Sequence, residues 1–342
     1  MSLDGKQWQR VNEIFDHVVD KSPSHRRDYL DIVCDDDVAV RQEVERLLVA
    51  SDALDEEGSM AESYLKAATG PPEQLGSYRL CDLLGRGGMG EVYAAQHPEH
   101  GDVALKLLPV FYVQDPSARQ RFENEARVLK ELAHPSLCNL YEYFVTDSYA
   151  CIAMERVQGI VLTDILEQGP VAHADAARII SQLASALSAA HTVGVTHRDV
   201  KPGNVIVSQD RSTSVKLLDF GIAKFADLKL TATGQAIGSP RYMSPEQWRG
   251  EPVDQRTDLW SLGVLWYQML SGKRPFDGKE MMDVVESILT AAPSDLPSRS
   301  VDGVFLAGVS EVISRLLAKD PGKRMSSCAE LLDDLVPISS GI

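Results

Sequence analysis

At 342 residues, with 44% apolar and 25% charged side chains, the chain has the profile of a globular protein long enough for two or three compact units. A net charge of −16 disfavours nucleic acid or an anionic membrane as its main partner. No apolar run reaches the roughly 18–20 residues of a membrane span, the start MSLDGKQWQR lacks the core of a secretory signal, and five scattered cysteines predict a reducing cytoplasm rather than a disulfide framework or a zinc site.

The charge is uneven: residues 1–75 hold 17 acids and 8 bases, over half of the excess. In this first part Trp8, Val11, Phe15, Val18 and Val19 recur at helical spacing. A second stripe of Tyr29, Leu30 and Val33 follows a Ser-Pro start, and a third of Val40, Val44, Leu47 and Leu48 follows an acidic one. The expectation is a small all-α unit over 1–50. The acidic stretch 51–77, which contains Gly-Pro-Pro, is expected to be a linker.

From Tyr78 the pattern turns to strands. YRLCDLLGRGGMGEVYAAQHPEHGDVALKLL predicts three, joined by glycine-rich turns. A helix is expected in DPSARQRFENEARVLKELA and two further strands in LCNLYEYFVTDSYACIAMERV. Beyond Gly159 helices dominate, at 172–193, 258–271, 279–291 and 305–318. The apolar LWSLGVLWYQML, within the second of these, is too short to span a membrane and reads as a buried helix. Strand-rich then helix-rich predicts an α+β fold with a cleft between its two parts.

Chemistry concentrates in a few short stretches. LGRGGMGEV, with Gly85, Gly87 and Gly90, is a strand–turn–strand in which free amides can cradle phosphate oxygens, though a plain hairpin has the same spacing. In VALKLL, Lys106 sits among apolar neighbours and needs a partner if buried, for which Glu125 of the following helix is a candidate. HRDVKPGNV places Asp199 to accept a proton, Lys201 to hold an anion and Asn204 to offer a carbonyl oxygen to a hard cation. A solvated turn uses the same residue types. LLDFG adds Asp219, a second oxygen donor, at the end of an apolar strand. Singly these signals are weak; their order and spacing together are not.

In that order the motifs resemble the eukaryotic-like (Hanks-type) serine/threonine protein kinases of bacteria, over about 78–336. The resemblance implies a two-lobed kinase fold, with an N-lobe over 78–157 and a C-lobe over 158–336. It implies a non-specific serine/threonine protein kinase that transfers the γ-phosphate of ATP to Ser/Thr hydroxyls of proteins, with Mg2+ as cofactor. Asp199 becomes the catalytic base, with Lys201 on the γ-phosphate, and Asn204 and Asp219 become the metal ligands. Leu84, Gly85, Arg86, Gly87, Gly88, Met89 and Gly90 cover the nucleotide; Lys106, paired with Glu125, meets its α- and β-phosphates. Val92, Ala104 and Ile206 sandwich the base, Met154 is the gatekeeper, and Glu155 to Val157 form the hinge. Leu129, Leu140, His197 and Phe220 resemble the stacked spine that joins the lobes, although plain core packing accounts for each of them as well.

Glu246 is expected to pair with Arg324, and Asp258 to brace the catalytic loop. Thr231 and Thr233 match positions phosphorylated in bacterial relatives, and Ser239 matches one that holds the substrate strand. Leu105, Ser239 and Ser244 depart mildly from the usual residues without removing a catalytic group. Two alternatives are a pseudokinase scaffold, disfavoured by intact Lys106, Asp199, Asn204 and Asp219, and a small-molecule phosphotransferase, disfavoured by SPEQWRGEPVDQRTDLWSLG and DPGKRM. The expected partners are protein substrates bearing Ser or Thr. The oligomeric state is left open, a homodimer included, and a membrane span or sensor domain beyond Ile342 is an expectation that the sequence leaves untested.

Overall fold

The computed structural model describes residues 10, 14, 29–30, 33–34, 37, 40–41, 44, 72–87, 90–109, 116–146, 149–208, 214–219 and 240–340. The chain divides into two compact units, Met1–Pro71 and Pro72–Ile342. In the first, the described residues are mainly helical, and Ile14, Leu30, Cys34, Val40 and Val44 are buried. Asp37 caps a helix start: its Oδ1 accepts from the amide of Val40 at 3.2 Å. Leu30, Val40 and Val44 belong to the expected stripes. Ile14 is a core position that the spacing did not single out, and Trp8, Val11, Phe15, Val18, Val19, Leu47 and Leu48 lie outside the described residues.

The second unit opens with a six-stranded antiparallel sheet. Its strands are β1 (Gln74–Leu75), β2 (Tyr78–Gly87), β3 (Gly90–His97), β4 (Gly101–Pro109), β5 (Leu140–Val145) and β6 (Tyr149–Glu155), in the order β1-β2-β3-β4-β6-β5. Helix α1 (Pro116–Glu131) separates β4 from β5. Period-two alternation explains the near-continuous apolar sequence of the central strands. Val103, Leu105, Leu107, Cys151 and Ala153 pack on one face with Tyr78. Ala104, Leu108, Ala150, Ile152 and Met154 pack on the other with Leu129 of α1. Strand β1 falls within the stretch 51–77 assigned above to the linker. Two residues carry no period, and only the pairing of Gln74 with Arg79 and Leu75 with Tyr78 defines the strand.

A short three-stranded sheet follows, β7 (Ile160–Val161), β8 (Val205–Val207) and β9 (Val215–Leu217), together with helices α2 (Leu162–Glu167) and α3 (His173–Thr192). Next come α4 (Pro245–Trp248), α5 (Arg256–Ser271), α6 (Met281–Thr290), α7 (Ala307–Leu316) and α8 (Cys328–Ser340). Helix α5 is buried from Thr257 to Tyr267 without a break, so it is an axle rather than an amphipathic surface helix. Trp260 and Trp266 are both fully inaccessible, and burial of each such side chain contributes on the order of 3 kcal/mol. The result is the expected α+β, two-lobed arrangement. Among the described residues no helix is long and apolar enough to cross a membrane.

Candidate active site

The junction of the two lobes gathers the polar residues singled out above. On the strand side, β2 and β3 pair Gly85 with Val92, Arg86 with Glu91 and Gly87 with Gly90, so the glycine stretch is a hairpin. Gly90 has φ +149°, and a Cβ there would lie 2.0 Å from the carbonyl oxygen of Leu107, so only glycine fits. Leu84 and Gly85 are exposed, and Gly88 and Met89 lie outside the described residues. Register then sets Val92 opposite Lys106 and Ala104 opposite Met154, and Val92 packs against the core face that holds Ala104 and Met154.

Lys106 is largely buried, and its Nζ lies 2.9 Å from Oδ2 of Asp219. Glu125, the partner that the resemblance implies, lies on α1, but its side chain is outside the described residues. The observed pair has a backbone signature. Asp219 has φ +47°, a left-handed conformation costly for a non-glycine residue, and Arg198 has φ +64°. Arg198 directly precedes Asp199, the residue expected to be the base, and Asp219 is an expected metal ligand.

The catalytic loop is held from below. Asp258, in the first turn of α5 and fully buried, accepts from the amides of His197 at 2.8 Å and Arg198 at 2.7 Å. It also lies 2.8 Å from Nε2 of His191, at the end of α3. Gln247 of α4 adds a bond from its side-chain amide to the carbonyl of Arg198 at 3.1 Å. His197 is fully buried, and desolvation lowers its pKa. Its Nδ1 accepts from the amide of Asp199 at 3.2 Å, so the neutral ring carries its proton on Nε2, 2.9 Å from the carbonyl of Leu218. That imidazole ties the loop to the strand leading into Asp219.

With the loop so fixed, Oδ2 of Asp199 lies 2.8 Å from Nζ of Lys201 and accepts from Nδ2 of Asn204 at 3.1 Å. The same Nδ2 donates to the carbonyl of Asp199 at 2.8 Å, so the Asn204 amide nitrogen is committed and its carbonyl oxygen is the end left for a cation. Asn204 and Asp219 are hard oxygen donors of the kind Mg2+ takes, with the rest of its shell left to phosphates and water.

The segment expected to form the hinge draws on both lobes. Glu155 donates its amide to the carbonyl of Asn139 at 2.9 Å, and its Oε2 lies 2.8 Å from Nζ of Lys216 on β9. Lys216 also donates to the carbonyl of Leu137 at 3.0 Å. Val157 is half-buried beyond it. Ile206, also half-buried, lies under the turn at Gly159, where a Cβ would come within 2.5 Å of its Cγ2. Behind Met154, a cavity of about 30 Å³ is lined by Leu129, Leu132, Cys138, Leu140 and Asp219. Leu129 and Leu140 of the expected spine therefore line the same cavity; Phe220, Thr231, Thr233 and Ser239 lie outside the described residues.

Below the loop, Arg324 makes a two-pronged pair with Glu246, at 2.7 and 3.0 Å, both residues buried. Burial pushes the Glu246 carboxyl up, and the Arg324 guanidinium outweighs it and holds the carboxyl below its usual range. Lys216, His191 and Gln247 had no signal in the sequence, since each acts through a residue distant in the chain.

Two lobes, a glycine hairpin, a lysine–aspartate pair and a braced Asp-x-Lys-x-x-Asn loop define a phosphoryl-transfer architecture, and the chain belongs to the protein kinase family. The model of the protein kinase domain matches residues 78–335. The chain is 38% identical over 273 residues to the serine/threonine-protein kinase pkn2 of Myxococcus xanthus, with 78% of this chain and 33% of that protein covered. To the serine/threonine-protein kinase PknB of Mycobacterium leprae it is 38% identical over 281 residues, 80% of this chain and 44% of that one. The chain thus spans less than half the length of these relatives. The crystal structure of the Mycobacterium tuberculosis PknI kinase domain superposes with a TM-score of 0.59 at 30% identity, covering 77% of this chain and 96% of that one.

Proposed function

We propose that the protein is a serine/threonine protein kinase that moves the γ-phosphate of ATP to a Ser or Thr hydroxyl of a protein substrate. The observation that carries this reading is the Asp199 carboxylate, held by Lys201 and Asn204 in a loop pinned by Asp258. The substrate oxygen attacks the γ-phosphorus, the bond to the β,γ-bridging oxygen breaks, ADP leaves, and Asp199 orients the hydroxyl and takes its proton. Lys201 offsets charge on the transferred group. Lys106 releases part of its hold on Asp219 to meet the α- and β-phosphates, leaving Asp219 and Asn204 as the residues that would hold Mg2+. The cation supplies charge neutralisation at the phosphates. Val92, Ala104 and Ile206 offer apolar surface to the base, with Glu155 to Val157 beside it and Met154 behind. All five cysteines are free thiols, which fits a reducing compartment.

The test is transfer of labelled phosphate from ATP to protein. Asp199→Asn and Lys106→Met are expected to abolish it with the fold intact, since positioning and charge stabilisation supply nearly all of the catalysis. Retention of more than about a few per cent of wild-type transfer by Asp199→Asn contradicts the role of the base. Wild-type protein that binds nucleotide but transfers nothing would be a pseudokinase.

A further inference from the structure

We propose that the cavity beside the catalytic loop is a subsite for an anionic side chain of the protein substrate, next to the accepting Ser or Thr, with Arg274 as its specificity determinant; this rests on the kinase reading above. The cavity measures about 340 Å³, and its lining includes Thr163, Glu167, Lys201, Tyr242, Gln268 and Arg274. Lys201 connects it to the reaction centre, because its Nζ is 2.8 Å from the Asp199 carboxylate. An extended peptide advances roughly 3.3 Å per residue. A hydroxyl delivered to Asp199 therefore brings a neighbouring side chain to the cavity mouth.

Arg274 dominates the charge of this cavity. Lys201 is already offset by Asp199, and Arg241, close by in sequence to Tyr242, is offset by Asp277 at 2.6 Å. Arg274 lies beside the Tyr242 hydroxyl, and the Asp277 carboxyl that also feels its charge is committed to Arg241. Its buried Nε has no hydrogen-bond partner among the described residues. That nitrogen is closed to solvent, so an entering carboxylate or phosphate is met by the charge of the half-buried guanidinium rather than by Nε. Glu167 is exposed at the rim, where water screens its charge. Gln268 accepts from the Tyr242 hydroxyl through its carbonyl oxygen and also lines the cavity, so its amide nitrogen remains as a second, neutral donor. The cavity thus offers an incoming side chain two kinds of donor, one of them a cation.

The experiment uses the full chain, ATP with magnesium, and peptides that carry one Thr flanked by Glu, by Gln or by phosphoserine. The Glu peptide is expected to exceed the Gln peptide about tenfold in kcat/KM, mainly through KM, and the phosphoserine peptide to do at least as well as Glu. Arg274→Gln brings the Glu/Gln ratio to about one, and Arg274→Lys keeps only part of it because a point charge lacks the guanidinium fork. Gln268→Glu, which puts a carboxylate in the same cavity without touching Arg274, also removes the preference. It serves if Arg274→Gln does not fold. A wild-type ratio of one, a ratio that survives these substitutions, or phosphoserine at the level of Gln overturns the subsite while leaving the kinase reading intact. Absence of transfer to every peptide and to the chain itself overturns the kinase reading and the subsite with it.

Discussion

Asp258 shows how much one buried carboxylate can organise: two backbone amides and one imidazole converge on it, and the catalytic loop hangs from those bonds. Glu246 is the second such residue, and its effect is measurable by pH. Its pKa in the folded state is held below the ordinary 4.5, so ionisation favours the folded chain. The contribution is therefore complete above pH 4.5 and is lost as pH falls through the folded value. Glu246→Gln is expected to cost about 3–5 kcal/mol near pH 7, because Arg324 is left buried without its partner. In urea unfolding, the gap between wild type and variant should narrow as pH drops below 4.5. A gap that is constant with pH means the pair contributes through shape alone.

At the scale of elements, α5 carries the helical lobe, and its packing leaves no slack on one side. A Cβ added at Gly263 would stand 2.8 Å from Cβ of Leu316 and 3.0 Å from Cδ2 of Leu317. Gly263→Val is thus expected to push α7 away and to destabilise by about 1–3 kcal/mol. A thermal midpoint equal to that of wild type would show that the interface yields without cost. Ser244 illustrates the opposite case, a local device: its hydroxyl and the Gln247 side chain form a reciprocal cap that starts α4, and Gln247 then reaches the catalytic loop.

At the scale of the molecule, the unit Met1–Pro71 has its own buried residues and half of the excess charge, which favours a regulatory or partner-binding role. A protein comprising residues 72–342, which keeps β1, is expected to bind ATP with magnesium as the full chain does, measured by calorimetry. A folded 72–342 protein without nucleotide binding means that the first unit completes the site. The stretch between Asp219 and Glu246 has one acid, Asp227, and hydroxyls at Thr231, Thr233 and Ser239. A phosphate there adds about −1.5 to −2 charges and pairs well with arginine, and Arg198 lies beside Asp199. Phosphatase treatment, and Thr231→Ala with Thr233→Ala, are expected to lower the rate on an added protein substrate. An unchanged rate in both rules out activation by autophosphorylation.

The five strands between Tyr78 and Glu155, the bounds of the five expected helices to within two residues and the Asp199–Lys201–Asn204 cluster were legible in the sequence, because each depends on residues close together in the chain; the short β7, α2 and α4 and the closing helix α8 were not expected. Helix 172–193 became His173–Thr192, whose first amide is taken by distant Asp302, and 279–291 became Met281–Thr290, which starts at the Glu280–Asp283 capping box; periodicity sees neither. Contacts between distant residues were not legible without the resemblance to known kinases. Lys106 faces Asp219, Lys216 reaches Glu155 across 61 residues, His191 meets Asp258 across 67, and Arg274 lines the same cavity as Lys201 with its Nε unpaired. A side chain's residue type announces what chemistry it can do. Which partner satisfies it, and which group is left without one, is decided only when sheet register and the packing around α5 bring separate segments within hydrogen-bond range.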